Sequence, residues 1–253
     1  MPFTLSHPAI VLPFGMKKNK YIDFTALVIG SMAPDFEYFL HFRPYRTIGH
    51  SFLGQLYFNL PLILILALVF HYIIKEPMIT NLPKPFCNNY YYIARDKWKL
   101  NSVLRIIVFI YSALIGAFSH IFWDGFTHST GFFVEKFHVL REYIDIAGIR
   151  LPVYNLLQHL SSLMGLIVIF LFIIYKRDKN SHMGVKNATA NKIIYWCGVI
   201  LITIFVMIIK RMLTGKYLIA SLIITSINGF FIGLIIMSIL IKVKGKISLI
   251  KLE

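Results

Sequence analysis

His120, Asp124 and His128 stand four residues apart in FSHIFWDGFTH, where a long apolar run ends. On a helix, residues at that spacing differ by about 40° around the axis, so the three fall within about 80° of one face. Imidazole nitrogens and a carboxylate are the usual ligands of zinc and similar ions. The spacing therefore predicts a metal-binding face, with Gly125 as a candidate helix end before His128. For one histidine, a hydrogen-bonded interfacial side chain is the plainer reading. Three ligand-type residues in step beside an apolar run favour ligation.

Four more residues join them. SMAPDFEYFL places Asp35 and Glu37 beside an apolar patch, and carboxylates apposed to a membrane are costly unless paired or metal-bound. RTIGHSFLG supplies His50, LSHPAI supplies His7, and LLQHLSSLMG supplies His159 at the mouth of an apolar run. Ser6 is a candidate N-cap there, with Pro8 just inside a short helix. The set His7, Asp35, His50, His120, Asp124, His128 and His159 exceeds the three or four protein ligands of one zinc ion. It suits two ions with Asp124 bridging, an arrangement that activates water and stabilises both oxygens of a displacement at a phosphate ester. Arg43 and Arg46 could hold a phosphate oxygen by charge-assisted hydrogen bonds, although ordinary interfacial cations explain them better.

The elements that must position these residues are membrane helices. The chain has 253 residues, 57% hydrophobic and 15% charged, against about 45–50% and about 25% in ordinary soluble domains. Runs at about 57–74, 103–122, 158–175, 193–211 and 217–241 approach the roughly 20 apolar residues of a bilayer span. Five spans put residues 1–56, 123–157 and 210–216 on one face, and residues 75–102, 176–192 and the tail on the other. All seven candidate ligands then belong to the first face, whereas His71 and His182 do not. Lysines and arginines divide eleven to fifteen between the faces, so the positive-inside rule places the metal face outside the cytoplasm. The net charge of +15 gathers at span ends, as topology and headgroup contacts require, rather than in a stripe suited to nucleic acid. Cys87 and Cys197 give neither a disulfide framework nor a thiolate metal site. No basic leader precedes the short apolar start, so no signal peptide is expected.

The blocks MPFTLSHPAIVLPF, ALVIGSMAPDFEYFL, GHSFLG and FSHIFWDGFTH resemble those of an uncharacterised family of bacterial integral membrane proteins that open M-P-F-T-x-S-H-P-A. That resemblance covers roughly residues 1–165. More remotely, the order of polar residues is similar to membrane-bound metal-dependent hydrolases and to zinc-dependent phospholipase C. It implies a di- or trinuclear zinc site for phosphate esters, with Asp35 as ligand or base. Leu163 stands where the last glutamate of that pattern would be, and the free N-terminal tryptophan ligand is absent.

The expectation is an all-α, multi-pass membrane helix bundle of about five spans. It has an N-terminal interfacial helical segment and a phospholipase C-like metal site at one face. Residues 1–175 would form the metal-site domain and residues 176–253 a two-helix membrane segment. The expected activity is zinc-dependent hydrolysis of a lipid or phosphodiester substrate, with membrane lipids as neighbours and no nucleic acid. A transport or sensing role would need polar residues continuing through the spans, and the last two spans carry no carboxylate. A structural metal site without turnover is the remaining alternative.

Overall fold

The computed structural model describes residues 3–17, 19–45, 47–146, 148–181, 189–215 and 218–250. Arg46 and His182 lie outside them. Most of the described residues are helical, and among them five helices are long and apolar enough to cross a membrane. Two short helices come first, α1 (Phe24–Gly30) and α2 (Phe36–His41). The first span is α3 (Gln55–Thr80), which widens into π-helical turns at Gln55–Asn59 and Phe70–Ile74. The second is α4 (Val103–Thr127), followed by the short α5 (Phe132–Lys136). The others are α6 (Val153–Tyr175), α7 (Thr189–Thr214) and α8 (Ile219–Ile250).

The link between α4 and α6 holds a feature that the sequence reading treats as loop. Strands β1 (Tyr143–Ile146) and β2 (Ile149–Pro152) pair antiparallel, with Asp145 opposite Arg150. Gly148, at φ +81°, supplies the left-handed residue that the tight turn needs.

Two compact units interleave along the chain. The first comprises Met1–Phe36, Thr47–Leu64 and Leu100–Lys176. The second comprises Glu37–Arg46, Ile65–Lys99 and Arg177–Glu253. Residues 37–46 and 65–99 thus group with the C-terminal helices.

In the first unit, α4 carries a buried stripe of small residues, Ser112, Ala113, Gly116 and Ala117, which continues into His120 and Asp124. These positions recur at the three- and four-residue spacing of one helix face. Helix α1 lies against the stripe so closely that a Cβ on Gly116 would sit 2.3 Å from the Leu27 carbonyl oxygen. A Cβ on Gly30 would meet the Ala113 carbonyl oxygen at 2.4 Å. Small residues allow such backbone contact between membrane helices. Asp23 caps α1 by accepting from the Ala26 N–H at 2.9 Å, and its own N–H donates to Ser112 Oγ at 3.0 Å.

In the second unit, α7 and α8 pair through glycines. Gly233 faces Val199 and Gly229 faces Thr203. Tyr195, Val199, Leu234 and Met237 pack with Ile74 around this seam, and the Tyr195 hydroxyl meets Ser238 Oγ at 3.0 Å. His71 stacks on Trp98 with ring centroids 4.6 Å apart, a packing role for an intramembrane imidazole.

Candidate metal centre

Six of the seven expected ligands converge in the first unit. His7 lies in a 3₁₀ helix, Thr4–Ile10, and Asp35 closes a 3₁₀ turn, Ala33–Asp35, that Pro34 helps to start. His50 stands in the loop before α3. His120 and Asp124 are buried on α4, and His128 is its C-terminal cap. Helix α4 continues through Gly125 to Thr127. Gly125 therefore does not end it; a Cβ there would lie 3.0 Å from the Phe133 ring, and a Cβ on Gly131 would meet the Gly125 oxygen at 2.5 Å.

The donor atoms form a compact figure. His50 Nε2 lies 3.5 Å from Asp35 Oδ1 and 3.4 Å from Asp124 Oδ2. His120 Nε2 lies 3.5 Å from Asp35 Oδ1 and 3.4 Å from Asp124 Oδ2. All four donors fall within 4.8 Å of one another. These separations exceed the ~2.7–3.2 Å of a good N–H···O hydrogen bond. They are of the size expected between neighbouring ligands of one zinc ion, which at about 2.0–2.2 Å from the metal stand roughly 3.3–3.6 Å apart. Asp35, His50, His120 and Asp124 thus form a group able to hold a metal ion.

Asp124 turns its other oxygen to a second set. Oδ1 lies 3.6 Å from His7 Nε2 and 3.5 Å from His128 Nδ1. His128 Nδ1 also lies 3.1 Å from the Asp124 carbonyl oxygen. A carbonyl can only accept, so Nδ1 carries a proton in this arrangement. The His7 and His120 rings stack, with centroids 3.7 Å apart.

Neighbouring groups fix the orientation of these ligands. His120 Nδ1 is 2.8 Å from the Ser31 carbonyl oxygen. Here too the carbonyl can only accept, so Nδ1 carries a proton, and Nε2 is the atom that faces the two carboxylates. The Thr4 hydroxyl donates to Asp35 Oδ2 at 2.6 Å, which leaves Oδ1 for the donor set. The loop carrying His50 is clamped from α3: Gln55 Nε2 and Asn59 Nδ2 both donate to the Gly49 carbonyl, at 2.8 and 2.7 Å. None of these partners is evident in the sequence, although Gln55 and Asn59 form an i, i+4 carboxamide pair at the head of an apolar helix.

Burial pushes the His7 imidazolium down to about 3, with the neighbouring His120 acting in the same direction. His7 is therefore neutral at physiological pH, as a ligand must be. Burial alone would raise the Asp35 carboxyl, but charge interaction and hydrogen bonding with His120, joined by His50, hold it below its usual range. Two buried carboxylates facing one another through orphaned oxygens, Asp35 Oδ1 and Asp124 Oδ1 and Oδ2, carry a large desolvation cost that a cation offsets.

The remaining candidates lie elsewhere. His159 is exposed, because Gln158 takes the buried position of that helical turn and the next residue points about 100° away. Glu37 is buried, but in the second unit, and does not join the donors around Asp35. The Arg43 guanidinium sits over the Tyr45 ring at 5.4 Å. His138 is exposed beside Glu142. Ser6 is not an N-cap; it lies within the 3₁₀ helix, and its hydroxyl donates back to the Phe3 carbonyl at 2.7 Å.

The chain belongs to the family described as DUF4184, a domain of unknown function, whose model matches residues 1–239. Among curated proteins and among solved structures, nothing matches it.

Proposed function

We propose that this membrane protein is a zinc-dependent hydrolase that cleaves a phosphate ester in a lipid-like substrate at the membrane interface. The observation that carries the reading is the four-donor figure of Asp35, His50, His120 and Asp124, with edges of 3.4–3.5 Å. In this reading those residues hold one ion, and His7, His128 and Asp124 Oδ1 hold a second. Three donors leave a position open, as hydrolytic zinc sites do. Bound zinc lowers the pKa of a water to about 7, and two ions together stabilise the attacking and leaving oxygens.

The chain's own groups prepare that chemistry. The Ser31 carbonyl holds a His120 proton at Nδ1, and Thr4 restrains Asp35. Burial keeps His7 unprotonated. Asp35 is assigned as ligand, its Oδ1 being the atom that faces His50 and His120. Exposed apolar residues close in sequence to His7 and His50, Leu5 and Phe52, suit a substrate with acyl chains.

The four-donor set by itself is complete, as in structural zinc sites, and this favours a purely structural ion as the second reading. Elemental analysis of the purified protein, its His120→Ala and Asp124→Ala variants, and an assay on phosphodiesters and phospholipids separate the two. Zinc with turnover supports the hydrolase, and zinc without turnover supports the structural ion. A wild-type protein lacking stoichiometric metal overturns both.

A further inference from the structure

Residues 3–36 do not stay at one membrane face. The Phe3 N–H donates to Ser162 Oγ at 2.9 Å. The Ser6 backbone packs onto Gly165, where a Cβ would lie 2.8 Å from the Ser6 carbonyl oxygen. Ser162 and Gly165 stand in the middle of α6. Further along, the Met16 carbonyl accepts from Lys176 Nζ at 2.9 Å, just past the end of that helix. From Gly165 to Lys176 the helix rises about 16 Å, roughly half of a bilayer core of about 30 Å.

The chain then returns. The Phe24 ring lies 5.8 Å from that of Phe172. The Tyr21 carbonyl accepts from the Tyr111 hydroxyl, and the Asp23 N–H donates to Ser112 Oγ. Tyr111 and Ser112 belong to the half of α4 farther from Asp124. Leu27 lies against Gly116, and Ser31 reaches His120, back at the metal centre. Backbone at bilayer depth must be hydrogen-bonded within the protein. The descending arm meets that need with 3₁₀ bonds, Val11 N–H to Pro8 at 3.0 Å and Met16 N–H to Pro13 at 3.2 Å; the returning arm does so with α1.

We infer that residues 3–36 are a re-entrant membrane hairpin whose basic turn, at Lys17 and Lys20, lies at the face opposite the metal centre. That face is cytoplasmic, so the metal centre opens to the extracytoplasmic leaflet. The charge balance supports the orientation. This turn adds Lys17 and Lys20 to the side that already holds fifteen of the twenty-six lysines and arginines, and basic residues flanking spans mark the cytoplasmic side. For the hydrolase proposed above, on which this last step alone rests, the substrate is then a lipid of the outer leaflet.

Membrane-impermeant maleimide labelling of intact cells and of inverted vesicles tests the hairpin without any assay of activity. Lys20→Cys, Asn101→Cys and Ser129→Cys are each made in the full chain carrying Cys87→Ser and Cys197→Ser, with membrane expression as the folding control. Asn101 precedes α4, and Ser129 follows it. Lys20→Cys and Asn101→Cys are expected to label only in inverted vesicles, and Ser129→Cys only in intact cells. Labelling of Lys20→Cys together with Ser129→Cys overturns the hairpin, as does protection of Lys20→Cys from both sides. Reversal of all three overturns the orientation. A correct pattern in a protein without turnover leaves the hairpin standing and removes the hydrolase.

Discussion

Thr4 touches no donor nitrogen, yet it should control how tightly the centre holds its ion. Its hydroxyl donates to Asp35 Oδ2 at 2.6 Å, and both residues are buried, at 8% and 0% exposure. Thr4→Val keeps the shape and removes the hydrogen. A hydrogen bond to a charged group contributes about 1.5–3 kcal/mol, and losing a neighbour that orients a metal ligand typically weakens binding about 10–100-fold. The two estimates agree, since roughly 1.4 kcal/mol is a factor of ten. The valine variant should therefore bind zinc about 10–100-fold more weakly in a chelator-competition titration. Thr4→Ser, which restores the hydroxyl, should return affinity to within about threefold of wild type. If valine leaves affinity unchanged, or serine falls as far as valine, Thr4 does not position Asp35 and the donor set is wrongly drawn.

Other expectations follow from the same geometry. Gly116→Ala places a methyl 2.3 Å from the Leu27 oxygen and 2.8 Å from the Ser31 nitrogen; it should cost about 1–3 kcal/mol, read as a lower melting temperature, and should reduce zinc content by displacing Ser31 from His120. His159→Ala, at an exposed position, should leave elemental zinc content unchanged. The metal-free protein should lose stability on acidification: His7 titrates near 3 when folded against 6.5 when unfolded, so between those values the unfolded chain binds the extra proton. Melting temperature should thus fall as pH drops below about 6.5, and His7→Gln should flatten that slope. Zinc affinity should fall over the same range, because protons compete for the imidazoles, and an equilibrium titration at pH 7.5 and 5.5 measures it.

The spans were legible because hydrophobic length is a local property: all five helices overlap the apolar runs, with ends that coincide or differ by two to nine residues. Local spacing also showed that His120, Asp124 and His128 share a face, and span parity put His7, Asp35 and His50 on the same side. Contacts between distant segments were not legible. Ser31 is 89 residues from His120 and Thr4 is 31 from Asp35, and nothing in either neighbourhood marks the pairing. The same holds for the first 36 residues: nothing in their interrupted apolar pattern marks Gly116 and Gly165 as the positions against which Leu27 and Ser6 pack. His159 misled because a ligand-type residue at a span mouth fits the pattern, while its direction depends on which neighbour turns inward.

The stripe on α4 has a consequence for how this chain can change and still work. Ala113, Gly116 and Ala117 make room for α1, while His120 and Asp124, members of the candidate donor set, continue the same line. Their relation is one of helical phase. Substitutions on the lipid-facing side, at Phe118 or Phe122, exposed at 38% and 53%, leave that phase intact. One residue inserted between Ala117 and His120 would rotate every later side chain by about 100° and separate the ligands from the groove that holds Ser31. Length in this run is therefore under tighter constraint than composition. Related chains are expected to vary freely in their outward aromatics while keeping the number of residues from Gly116 to Asp124 fixed.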